Sequence, residues 1–142
     1  MKPRRGKTET GSVVVEGALI LLLMFIFLLG LMEAGHLFLV QQTLTDAARE
    51  GARLGVAPLT QTSTLASDAD IRTKVRIFLA SAGVIVQDAN IVITHPIVSV
   101  NSVDTAFTRV SVRTSYQPFL VLLGLNNLAL KGEAMMRNET SD

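Results

Sequence analysis

Glu16 is the single charged residue between Ser12 and Met32, in a run that is otherwise mostly aliphatic. A charge at the middle of a membrane span costs about 2.5–3.5 kcal/mol, and less near its end, so this carboxylate asks for a partner. Few other residues invite chemistry. Glu33 and His36 stand one helical turn apart, a spacing that allows a pH-sensitive contact, although a solvated pair is the plainer reading. His95 precedes Pro96 and reads as a strand-end or loop residue. Two histidines so far apart, with no acidic cluster beside either, do not spell a metal site. Arg49 and Arg53 alternate with Asp46 and Glu50 as on a solvated helix face, where each ion pair is worth a few tenths of a kcal/mol; they could also dock a partner subunit. Met135-Met136 and Phe119–Leu123 read as core. Catalytic triads, phosphate loops and dinucleotide fingerprints are absent, so no catalytic residue and no cofactor is expected, and the chain does not read as an enzyme.

The elements that must position Glu16 follow from the same stretch. A bilayer core about 30 Å thick is crossed by about twenty helical residues, which Ser12–Met32 supplies. Lys2, Arg4, Arg5 and Lys7 precede the run against one acid, Glu9, whereas Glu33 follows it. The positive-inside bias then puts the N-terminus in the cytoplasm and residues 34–142 outside, which in a bacterium is the periplasm or beyond. A secretory signal peptide is the competing reading, but a cut after Ala34 or Gly35 would put Met32 or Glu33 at the −3 position, and neither is small.

The division expected is a basic, disordered leader at 1–11, a membrane helix at 12–33, its amphipathic continuation at 34–57 and an extracytoplasmic domain at 58–142. No proline interrupts Ser12–Val56, and Ala57-Pro58 ends the helix. In its outer half Leu37, Val40, Leu44, Ala48, Ala52 and Gly55 form one stripe. Ala48, Gly51, Ala52 and Gly55 supply small residues four apart that let another backbone come close. Ser67 with Asp70 starts a second helix over 68–82, and Gly83 suits its C′ position. Alternation predicts strands around Ile91–Ile93, Arg109–Tyr116 and Leu128–Met136, with Pro96 interrupting after the first. The fold class expected is α+β and pilin-like: a long membrane helix continuing into a small domain of one helix and about three antiparallel strands.

The chain has 142 residues, a net charge of +1 and no cysteine. Once the leader's charges are assigned to topology no basic stripe remains, which argues against nucleic acid as a partner. Missing cysteines exclude disulfide staples and thiolate metal sites. Mean hydropathy is +0.42, and its surplus lies in the N-terminal third; the remainder reads as an ordinary soluble domain.

Gly11-Ser12-Val13-Val14-Val15-Glu16, set between a basic leader and an apolar helix, resembles the processing site of type IV pilin-like precursors, most closely the TadE-like proteins of tight-adherence (Flp) pilus systems. No other glycine here has a glutamate five positions on. The run Ala47-Ala48-Arg49-Glu50-Gly51-Ala52-Arg53 and the ending Ala134–Glu139 are similar to that family too. One departure is Gly17, where an aromatic often follows the glutamate. The resemblance implies that a membrane aspartyl prepilin peptidase cuts between Gly11 and Ser12. Glu16 becomes the fifth mature residue and sets subunit register against the terminal amine of a neighbour. It also implies a minor pilin or pseudopilin of the inner membrane, with other pilin subunits and the tight-adherence secretion apparatus as partners, possible incorporation into a surface pilus, and a part in pilus assembly and adhesion. An uncleaved single-pass scaffold of the same machine, and a membrane-anchored periplasmic enzyme or binding domain, stay open as alternatives.

Overall fold

A computed structural model describes residues 9–57, 65–100, 103–118 and 127–138. The apolar stretch Phe119–Leu125, most of the polar loop before Ser67 and all of the leader before Glu9 lie outside the described residues. Helix α1 (Glu9–Val56) runs for 48 residues, about 72 Å at 1.5 Å per residue. It takes in the last three residues, 9–11, of the segment expected to be disordered. It ends where expected, one residue before Ala57-Pro58.

Helix α2 (Asp68–Ser81) is held at both ends by local chemistry. The Ser67 hydroxyl accepts from the Asp70 amide while the Asp70 carboxylate accepts from the Ser67 amide, a full capping box. At the other end Gly83 takes φ +75°. This lets the Gly83 amide reach the Ala80 carbonyl at 3.0 Å and the Val84 amide reach Leu79 at 2.9 Å, the pairing of a Schellman motif.

The sheet has four strands where about three were expected: β1 (Ile91–Thr94), β2 (Ile97–Val100), β3 (Val103–Tyr116) and β4 (Leu128–Arg137). All pairings are antiparallel and all involve β3. The pairs Ile91↔Val112 and Ile97↔Ala106 keep one register, so β1 and β2 are two pieces of a single edge along β3. Pro96, read in the sequence as a stop, only nicks that edge. It cannot donate, but its carbonyl still accepts from the Phe107 amide at 2.9 Å, and edge strands tolerate such a residue. That is why the fourth strand escaped the sequence reading.

One core is shared by α1, α2 and the sheet. Val40, Leu44, Ala47, Ala48 and Ala52 of α1 bury against Ile71, Val75 and Leu79 of α2 and against Ile91, Ile93, Val110 and Val112. Burying each valine, leucine or isoleucine among them is worth about 1.5–3 kcal/mol. The close approaches fall at glycines. A Cβ on Gly51 would stand 2.5 Å from Val75 Cγ2, and one on Gly55 would stand 2.8 Å from both Ile71 and Thr108. The contacts Gly55·Ile71 and Gly51·Val75 also fix direction: α2 runs antiparallel to α1. Strand β3 descends the same way, from Thr108 at Gly55 to Tyr116 near His36.

Candidate functional site

The inner end of α1 presents Gly11, Ser12 and Glu16 on an exposed helix, with open space around Gly11. The Gly11–Ser12 bond lies in the first helical turn, where up to four amides have no partner within the helix. Glycine there favours helix by about 1 kcal/mol less than alanine, so opening this turn into an extended strand is cheap. Glu16 pairs with no side chain among the described residues. Around and beyond it the large apolar residues from Val13 to Met32, Leu29 excepted, are exposed, Leu23 by 74%, as expected of a surface that faces lipid.

The opposite end of that apolar stretch is where the outer domain first grips α1. The Tyr116 hydroxyl donates to Glu33 Oε1 at 2.5 Å. Its one proton is thereby used, so His36 Nδ1, at 2.9 Å, must donate to the Tyr116 oxygen. The two rings tilt against each other at 5.5 Å. Burial, and next the hydrogen bond to Glu33, push the Tyr116 pKa up to about 12, so the phenol stays a donor at physiological pH. Glu33 and His36 therefore meet through a third residue. Tyr116 was read only as a strand residue; its one distinguishing signal was being the chain's only tyrosine.

Further out, Gln41 Nε2 donates to the Lys131 carbonyl at 2.8 Å, tying α1 to β4. Ala48, Gly51, Ala52 and Gly55 all turn toward α2 and the sheet of the same chain. On the solvent side Arg49 pairs with Asp46 at 3.3 Å, and Arg53 with Glu50 at 2.9 Å, where Lys74 joins from α2 at 3.4 Å. The Arg53 hydrogen bond holds the Glu50 carboxyl below its usual range.

His95 has more partners than the sequence suggested. Its Nε2 lies 2.9 Å from Asp68 Oδ1 and its Nδ1 lies 3.2 Å from Thr108 Oγ1. An acid, an imidazole and a hydroxyl in line resemble a hydrolase triad. Thr108, however, is 0% exposed and gives its proton to Asn138 Oδ1 at 2.9 Å. No substrate can reach that oxygen, and the row instead links the start of α2, the nick between β1 and β2, and the end of β4. Of the two methionines suggested for the core, Met136 packs on it and Met135 is exposed, as strand alternation requires.

No curated protein and no solved structure matches the chain. Helix α1 is long and apolar enough to cross a membrane. Residues 11–53, which lie within α1 and run from Gly11 to the small-residue stripe, match the family model described as TadE-like protein; over this part the chain is similar to that family.

Proposed function

We propose that this chain is a minor pilin or pseudopilin of a tight-adherence pilus, cut by a prepilin peptidase between Gly11 and Ser12 and used in assembling the fibre. It sits in the inner membrane with its N-terminus cytoplasmic and its domain periplasmic, as the basic leader favours. Chemistry is done to this protein, not by it. The observation that carries the reading is Glu16: a lone carboxylate on the lipid-facing part of α1, five positions after Gly11, with no intramolecular partner among the described residues. Cleavage frees the Ser12 amine. In a filament the amine of one subunit meets the Glu16 carboxylate of the next, an attraction of about 4 kcal/mol at 4 Å and an effective dielectric near 20, before desolvation. A buried pair of this kind sets register more than it adds stability, and the apolar face of α1 supplies the association energy.

N-terminal sequencing of the protein from its native host tests the cut, and a mature start at Ser12 is expected. An intact Met1 overturns the pilin reading in favour of an uncleaved scaffold. The variant Glu16→Ala should still be cut yet fail to enter the fibre; undiminished incorporation would refute the register role.

A further inference from the structure

We propose that the outer domain is seated on the bilayer through the turn after α2, with Ile85 inserted among the lipid headgroups. This rests on reading Ser12–Met32 as a membrane span. Because α2 and β3 both run antiparallel to α1, their C-terminal ends return toward the membrane. The residues that arrive there are Gly83–Val86 and Tyr116–Gln117. A cavity of about 300 Å³ is walled by His36, Leu39 and Val40 on one side and by Val84, Ile85 and Gln117 on the other, which puts Ile85 at the level of these α1 residues.

His36 lies four residues beyond Met32 and Leu39 seven, about 6 and 10 Å along the axis. The headgroup layer is about 5–8 Å deep on each side of the hydrocarbon, and any tilt of α1 brings these residues closer to it. Ile85 is 91% exposed, the highest value of any large apolar side chain described, and no solvent-facing turn gains from an isoleucine at its tip. Beside it an apolar cleft of about 490 Å³, lined by Met32, Glu33, His36, Tyr116 and Gln117, opens at the point where the helix leaves the hydrocarbon. The surface is continuous with the lipid-facing flank of α1. Phospholipid is thus the occupant whose chemistry it fits: acyl chain against Met32 and the Tyr116 ring, polar headgroup against Gln117 and His36.

The chain has no cysteine, so single-cysteine variants of the full protein label uniquely with an environment-sensitive fluorophore. Ile85→Cys, Leu28→Cys and Val98→Cys are reconstituted in vesicles of phosphatidylethanolamine and phosphatidylglycerol carrying spin-labelled lipid. Leu28 reports the span, and Val98 reports the far end of the domain, about 35 Å beyond Met32 on α1's scale. Expected are a blue-shifted Ile85 label quenched by headgroup-level spin label, a Leu28 label quenched by deep spin label, and a Val98 label quenched by neither. An Ile85 label that behaves like Val98, or that shifts without being quenched by lipid, overturns the proposal while a quenched Leu28 leaves the span intact. An unquenched Leu28 label overturns the span itself, and the seat with it.

Discussion

Tyr116 joins residues 83 and 80 positions away in the chain, Glu33 and His36, and its chemistry makes the joint measurable. The phenol titrates higher in the folded chain than when unfolded, so its contribution is complete below pH about 10 and is lost as pH climbs toward about 12. The chain has no tryptophan and no second tyrosine, so absorbance of the tyrosinate reads this residue alone. We expect a midpoint near 12 for the folded protein. Glu33→Gln should lower it only part of the way to the free value, because burial is the larger cause. A midpoint near the free-tyrosine value in the unaltered protein would show that Tyr116 is not packed on α1. None of this was legible beforehand: Glu33 and His36 could be placed one turn apart, but alternation in β3 gives a strand's inward face, not what that face meets.

Element by element, the sequence was most legible where local chemistry decides. The absence of proline from Ser12 to Val56, the Ser67–Asp70 box and Gly83 each act within a few residues, and each appears where read. Strand β2 was missed because a proline was given more weight than its position on an edge warrants. The role of Gly132 was hidden for a different reason. It fits the alternation of β4 as a small inward residue, yet a Cβ there would lie 2.3 Å from the Leu44 carbonyl carbon and 2.6 Å from the Thr45 amide. Strand and helix cross backbone to backbone, with no flexible side chain to yield. Gly132→Ala should therefore cost about 3 kcal/mol, the upper end for an overpacked core, read as a lowered denaturation midpoint of the domain in detergent. Gly35→Ala, which meets nothing within 4 Å, should be neutral or gain up to about 1 kcal/mol of helix propensity. Equal effects at the two sites would refute the crossing.

For the whole molecule, the domain expected from residue 58 onward packs on the outer half of α1, and the core draws one wall from Val40, Leu44, Ala47, Ala48 and Ala52. The outer half of α1 is as much a part of the folded unit as the sheet. A fragment of residues 34–142 should thus be soluble and give dispersed amide resonances, whereas residues 58–142 should collapse without them. A well-folded 58–142 fragment would show that α1 is dispensable to the core.

The crossing at Gly132 has a mechanical consequence. With Leu44 and Thr45 pressed on strand backbone there is no hinge between rod and head, so the domain follows any reorientation of the span. From Met32 to Val56 the rod projects about 36 Å, and lipid-embedded helices lean by about 20° on average. A lean of that size sweeps the outer end of α1, and the β2–β3 hairpin beside it, sideways by about 12 Å. Lifting the subunit out of the bilayer would rotate the whole head like a pointer, presenting different faces to its neighbours before and after extraction.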